Sequence, residues 1–240
     1  MRRSLLVITG IGAGVLMACL LLLNANAMLQ SLETERYTFP SMVKESAADF
    51  PEEVHFPYVV TGTNLVVEQV AAYDGPYLED GSNQEVFNVT AIVLRNAGAT
   101  GVVSAQITME QGDRRLEFEA ETLPPGQAVL IIEKSKNEYI QKTYNACYGE
   151  QELATAIWWA KNAPKIEPVG MSSLAVTNTG EYSLEEIWLY YKTYQREPGI
   201  YIGGITYKVG IRRLEPGQTL QINPPFFVNG YSRIARITTG

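Results

Sequence analysis

The sequence predicts an all-β chain: two tandem antiparallel β-sandwich domains behind an N-terminal transmembrane helix or signal segment. Three observations carry this. A block is duplicated, Asn96-Ala97-Gly98 running to Leu123-Pro124-Pro125-Gly126-Gln127 and Asn178-Thr179-Gly180 running to Leu214-Glu215-Pro216-Gly217-Gln218. Repetition at domain scale with conserved turn chemistry points to a repeated architecture. Between the turns, apolar and polar residues alternate with period two, the mark of half-buried antiparallel strands. Finally, an uncharged run from Leu5 to Leu23 follows Arg2 and Arg3.

That run sets the compartment. Its 19 residues reach across most of a bilayer at about 1.5 Å per residue, longer than the ~7–15 apolar residues of a cleavable signal. Length favours a retained anchor, whereas Ala25-Asn26-Ala27 forms an A-x-A site that would release the chain before Met28. Either way the bulk is expected outside the cytoplasm, with Arg2 and Arg3 held inside. Leu16-Met17-Ala18-Cys19 has the form of a lipobox, but Leu20–Leu23 continue the apolar run, so Cys19 reads as a span residue. The expected boundaries are 1–27 for anchor or signal, 28–56 for a stalk, 57–135 for the first sandwich and 136–240 for the second.

All 26 acidic residues follow the apolar run and two of the 19 basic residues precede it, leaving 17 basic residues against 26 acidic ones in the exported part. Such a surface disfavours nucleic acid and anionic headgroups. Cys147 is the only exported cysteine, so no intramolecular disulfide can form there. Its neighbours Tyr144, Ala146 and Tyr148 suit a packed strand position.

The first domain opens at Tyr58 with the β-branched runs Val59-Val60, Leu65-Val66-Val67 and Val70-Ala71-Ala72. Tyr73–Asn83 reads as a loop from its Gly, Asp, Asn and Ser content. Val89–Leu94 is apolar on both sides and suits the sandwich centre. Val103–Met109 and Leu116–Ala120 alternate around the hairpin Gln111-Gly112-Asp113, and the Pro-Pro-Gly corner leads into an interior strand at Ala128–Ile132. The second domain repeats this order: Leu174 and Val176, then Ile187–Tyr191 and Tyr207–Ile211. Its middle hairpin is enlarged at Tyr194–Gly204. Gln151–Ala160 fits a helix by propensity or, around Ile157–Trp159, a first strand of the second domain; the sandwich requirement favours the strand.

Chemistry is sparse. His55 is the sole histidine, at the end of the stalk, so Ser-His or Cys-His nucleophile systems and His-based zinc sites have no residues to use. Glu117, Glu119 and Glu121 share one strand face and read as a solubilising surface rather than a glycosidase pair. Asp74, Glu79, Asp80 and Glu85 offer oxygen ligands without an EF-hand spacing. No catalytic residue, cofactor or metal is expected. The aromatics Trp158, Trp159, Tyr190, Tyr191, Tyr194, Tyr201 and Tyr207 crowd the second domain, and neighbours on a strand point to opposite faces, so some should be exposed. Tyr194 and Tyr201, in the inserted hairpin, are the expected partner or ligand contacts.

At the Asn-x-Gly turn, the alternating strand after it and the Leu-x-Pro-Gly-Gln corner, residues 85–132 and 170–223 each resemble the CARDB-like and FxLYD-like bacterial sandwich domains. Ile187-Trp188-Leu189-Tyr190-Tyr191-Lys192 approximates the FxLYD core without its Phe or the acid after Tyr. The resemblance implies Ig-like modules appended to exported proteins, with a role in adhesion or interaction and no catalytic residue. The expected function is therefore a structural or protein-protein interaction role at the bacterial cell envelope. The membrane is engaged through the N-terminal helix, and an envelope protein or cell-surface component is the partner. The alternative is a small-ligand or glycan-binding module using the 194–204 hairpin.

Overall fold

The structure, a computed structural model, describes residues 53–155 and 158–239. The expected anchor and nearly all of the stalk lie outside the described residues, as does Ile157. Every regular element among the described residues is a strand. In chain order they are β1 Tyr58–Val59, β2 Leu65–Tyr77, β3 Gln84–Asn96, β4 Val102–Gln111, β5 Arg114–Leu123, β6 Ala128–Ile132 and β7 Ala146–Leu153. There follow β8 Lys165–Val169, β9 Ser173–Thr177, β10 Ile187–Gln195, β11 Ile200–Ile211, β12 Thr219–Ile222 and β13 Ser232–Thr239. No helix among the described residues is long and apolar enough to cross a membrane.

The duplication in sequence is a duplication in strand pairing. In the first repeat β3 pairs with β2 and β6, and β4 with β5 and β7; in the second β9 pairs with β8 and β12, and β10 with β11 and β13. Six strands thus recur in the same connectivity. The first strand of the second domain expected near Ile157–Trp159 is not where it was read: Trp159 makes only one bridge, to Ile237, the second repeat opens downstream at β8, and upstream β7 pairs with β4 of the first repeat. The expected loop at Tyr73–Asn83 is shorter than read. β2 runs on to Tyr77 through a register shift between Tyr73 and Gly75, where Gly75 takes φ 146°.

The repeats share a sheet. β6 pairs in parallel with β11, Val129 with Tyr201 and Leu130 with Ile202, giving a seven-stranded sheet in the order β1-β2-β3-β6-β11-β10-β13. The remaining strands form two three-stranded sheets, β5-β4-β7 and β12-β9-β8. These lie on opposite faces of the long sheet, as successive residues of β10 demonstrate. Tyr191 sits in a core with Leu174, Val176, Leu189 and Ile237, while Lys192 reaches the other way to the Glu121 carbonyl on β5. The first core packs Leu65, Val67, Ile92, Leu94, Val129 and Ile131 against Ala105, Ile107, Met109, Leu116, Phe118 and Cys147. Burying each large side chain among these contributes about 1.5–3 kcal/mol. Cys147 is buried in β7 as its neighbours predicted, and burial pushes its thiol up to about 12.

Each repeat is closed by one buried asparagine. Asn96 donates from Nδ2 to the carbonyls of Thr100 (2.8 Å) and Leu123 (3.2 Å), and its Oδ1 accepts from Gly98 N (3.0 Å). Its backbone N–H donates to Gln127 O (3.0 Å), and its C=O accepts from Gly126 N (2.8 Å). Asn178 repeats the pattern bond for bond: Nδ2 to Tyr182 O (2.8 Å) and Leu214 O (2.9 Å), Oδ1 from Gly180 N (2.9 Å), with backbone bonds to Gln218 O and from Gly217 N. The Asn-x-Gly turn and the Pro-Gly-Gln corner, far apart in sequence, are thus halves of one hydrogen-bonded knot. Gly126 and Gly217 supply the positive φ the corner needs, 69° and 71°.

Replacing either Asn96 or Asn178 with alanine should cost about 2–4 kcal/mol, because buried backbone groups lose their partners. Urea denaturation of the full chain reads this out. A loss under about 0.5 kcal/mol at either position would remove the knot as a determinant of the fold.

Candidate functional site at the junction of the repeats

The β6–β11 ladder is short, and what lies beyond it is the most chemically distinctive part of the molecule. In register, Ile132 on β6 faces Gly204 on β11, two positions past the last paired residues. Here a side chain takes over. Glu79, from the β2–β3 loop, accepts from Ile132 N at Oε1 (2.8 Å) and from Gly204 N at Oε2 (2.6 Å), so one carboxylate spans the seam. Two glycines make room for it. A Cβ on Gly203, which has φ 81°, would stand 2.9 Å from Leu78 Cβ, and one on Gly204 would stand 1.8 Å from the Glu119 carbonyl oxygen.

Lys192 completes the junction. Tyr191 pairs with Tyr207 and Thr193 with Ile202, so Gly203–Thr206 bulge out against Lys192 alone and their carbonyls lack ladder partners. The fully buried ammonium supplies them, donating to Gly204 O (2.7 Å), Ile205 O (2.7 Å) and Glu121 O (3.0 Å), with Thr206 Oγ1 at 3.3 Å. Three carbonyl acceptors call for the three donors of a charged ammonium. Glu79 and Lys192 are linked through the Gly204 peptide, which donates to one and accepts from the other.

Burial raises the Glu79 carboxyl toward about 7, opposed by its two backbone N–H bonds and the Lys192 charge. Burial likewise lowers Lys192 toward about 7, opposed by Glu79 and Glu121. Around Glu79 lies a cleft of about 340 Å³, lined by Tyr77, Asp80, Glu119, Glu121, Lys134 and Lys136 among others. Its rim charges pair: Lys134 with Glu119 (2.6 Å) and Lys136 with Asp80 (3.8 Å), with Lys136 4.2 Å from the centre of the Tyr77 ring. Both Glu79 oxygens and the Lys192 ammonium are engaged by the main chain, so the arrangement clamps strands, while Glu79 also lines the cleft.

The structure redistributes the residues singled out in the sequence. The expectation that Tyr194 and Tyr201 stand out to solvent is not met: Tyr201 is 2% exposed and Tyr194 is half-buried. They are a cross-strand pair with ring centres 5.3 Å apart, turned onto the first core and covered by Arg233, 4.7 Å from the Tyr194 ring. Of the acidic loop, Glu79 goes to the seam, Asp74 Oδ1 accepts from Asn88 N (2.7 Å) and Asp80 Oδ1 from Ser82 N (2.8 Å). Among the described residues no three His, Cys, Asp or Glu side chains gather as a metal site. Glu117 and Glu119 are tied to Arg115 and Lys134, as a surface strand face would be. Lys192 was missed in sequence; its only signal was a lysine in a strand facing two adjacent glycines. No family model and no curated protein matches this chain.

Lys192→Met should destabilise the fold by roughly 2–4 kcal/mol at pH 7, since the bulge carbonyls lose their donors. It should also give a stability that declines with rising pH. With its countercharge gone, the buried Glu79 keeps a folded pKa above the unfolded value. Its contribution is therefore present below about 4.5 and lost as pH rises through about 7 and beyond. Urea denaturation between pH 5 and 8 measures the slope, and adding Glu79→Gln should flatten it. An unchanged slope in the double variant would show that Glu79 is not its source.

Proposed function

We propose that this protein is a membrane-anchored, extracytoplasmic, non-enzymatic interaction protein of the bacterial cell envelope, built from two tandem Ig-like β-sandwiches and acting through contact with another envelope component. The export reading rests on the Leu5–Leu23 run. The Ig-like reading is supported by the recurrence of six strands in one connectivity, each set with its own core.

The observation that carries the interaction reading is an apolar tip on the second repeat. Phe226 is 68% exposed, Met171 66% and Tyr231 53%, with Val228 exposed beside them. The two loops that bear them are joined, Asn229 donating from N to Met171 O (2.7 Å) and from Nδ2 to Gly170 O (3.2 Å). Phe226 adopts φ 59°, a conformation costly for a side chain of its size, and its ring rests on Tyr207 at 5.1 Å. Strained and exposed aromatics of this kind mark contact surfaces.

Strand directions place the tip. β6 runs away from the Asn96 knot, β11 runs toward the Asn178 knot, and the two are parallel, so the knots lie at opposite ends of the long sheet. The chain enters at Val54, bonded to Tyr144 O near the end of β4 remote from the Asn96 knot. The tip, remote from the Asn178 knot, is at the opposite end. The ligand-binding alternative loses one of its two expected residues with the burial of Tyr201.

A photo-crosslinking residue at position 226 of the full chain, expressed in its bacterial host, should form an adduct with an envelope component. Adding Tyr231→Ser should weaken that adduct at least severalfold, and the same probe at Asp113, at the other end, should form none. Equal labelling from positions 226 and 113, or resistance of the chain to protease added outside the cell, would overturn the reading.

A further inference from the structure

A second, partly exposed surface differs in chemistry from the tip. Trp188 and Tyr190 alternate on β10 with the core residues Leu189 and Tyr191, so their rings stand on the face of the long sheet turned away from the second core. Register places Lys208 and Arg236 on either side of Tyr190, and Gly210 and Thr238 on either side of Trp188. Residues directly opposite share a face, so these six form one patch.

The rings are fixed. A Cβ on Gly210 would stand 2.9 Å from the Trp188 ring, so this indole lies flat across a position where only glycine fits. Trp158 repeats the device on Gly101, where a Cβ would fall 1.9 Å from the ring, and its Nε1 donates to Ala235 O (2.8 Å). Two cations lie over these platforms. The Arg236 guanidinium is 5.0 Å from the centre of Trp158 and 5.4 Å from that of Tyr190, and Lys208 Nζ is 5.5 Å from Trp188. Neither cation has a carboxylate partner among the described residues, and Arg236 Nε is buried without an acceptor. That is notable in a chain with 26 acidic residues against 19 basic ones.

We propose that this face binds an acidic saccharide: a chain of pyranose rings bearing carboxylates. The partly exposed rims of these indoles, beside the two cations, offer apolar contact to the C–H face of a sugar ring, which is apolar across its plane and polar at its rim. The guanidinium, near two rings and without a carboxylate partner among the described residues, suits a carboxylate, and Lys208 adds a second positive charge. Two cations on an acidic molecule fall short of what a nucleic acid backbone requires. This site is independent of the apolar tip and shares no residue with it.

Tryptophan fluorescence of the full chain, titrated with oligogalacturonate and with hyaluronan oligomers, tests the proposal. The methyl ester of the same oligogalacturonate is the neutral control. At least one acidic oligomer should give a saturable change below millimolar concentration, with the ester binding at least tenfold more weakly. Arg236→Gln and Lys208→Gln should each weaken binding by about tenfold, the scale of losing one charge-assisted contact. Both should leave the urea midpoint unchanged, which separates binding from folding. Three results would overturn the site: no saturable change with either acidic oligomer, equal affinity for acid and ester, or affinity indifferent to Arg236→Gln. Tighter binding of a poly-aspartate peptide than of the oligomers would instead assign the face to acidic polypeptides. Failure here would leave the crosslink at position 226 unaffected.

Discussion

A buried primary amide is the constraint on which the molecule depends. In each repeat the chain must leave one sheet, cross to the other, and later return through a corner beside its point of departure. At that meeting point the turn carbonyls and amides are beyond the reach of any ladder, and burying them unpaired would cost about 1–3 kcal/mol each. Asn96 and Asn178 resolve this with one side chain apiece, two donors facing one loop and one corner while the oxygen closes the turn. Aspartate has no donor to offer at those carbonyls and leucine no polar group. The amide thereby fixes both the separation of the layers and the point at which β6 or β12 begins.

Once each repeat is closed, its remaining difficulty is its edges. A row of unpaired N–H and C=O groups recruits other chains unless it is covered. β6 has its edge covered by β11 of the other repeat, and where the two strands part, Glu79 substitutes for the missing ladder. The bulge that admits Glu79 beside Gly203 and Gly204 creates a new deficit, in the carbonyls of Gly204 and Ile205, and Lys192 fills it. Each polar element of the seam exists because the previous one left backbone unsatisfied. This explains why a charged pair survives in a buried position where an apolar pair of equal volume would ordinarily serve as well or better: methionine at 192 would fill the space but offer the carbonyls nothing.

What could be read in the sequence follows from the range of the physics involved. Turn grammar and period two are local, so the turns and corners, the strands β3 to β6 and β9 to β11, and the packing of Cys147 were all visible in residue order, whereas the asparagine bonds that join each turn to its corner were not. The seam is not local. Glu79 resembled its neighbours in an acidic loop because nothing in residues 74–85 records that Ile132 and Gly204 will lie against it. Lys192 continues an alternation with Trp188 and Tyr190 that signals the solvent side; the four-residue excursion of β11 that buries it belongs to another strand. Tyr201 was read as exposed because an inserted hairpin was assumed to project, whereas here it is the element that joins the repeats.

The exposed surfaces follow from the same joint. β6 belongs to the first sheet of its repeat and β11 to the second sheet of its own, so fusing them places unlike sheets side by side. Their partner sheets then have to pack on opposite faces, and no three-stranded sheet covers the second repeat's half of the face that β5-β4-β7 occupies beside the first. An uncovered sheet face must meet water with polar groups or be capped in some other way. On this half, Trp188 and Trp158 are laid flat on Gly210 and Gly101, and Arg236 and Lys208 sit over the rings, a surface both apolar and charged. Because the seam is clamped by main-chain bonds through Glu79 and Lys192, that face and the Phe226 tip are carried on the same body. The geometry that relieves the edge of β6 is thus also what leaves this aromatic face without a covering sheet.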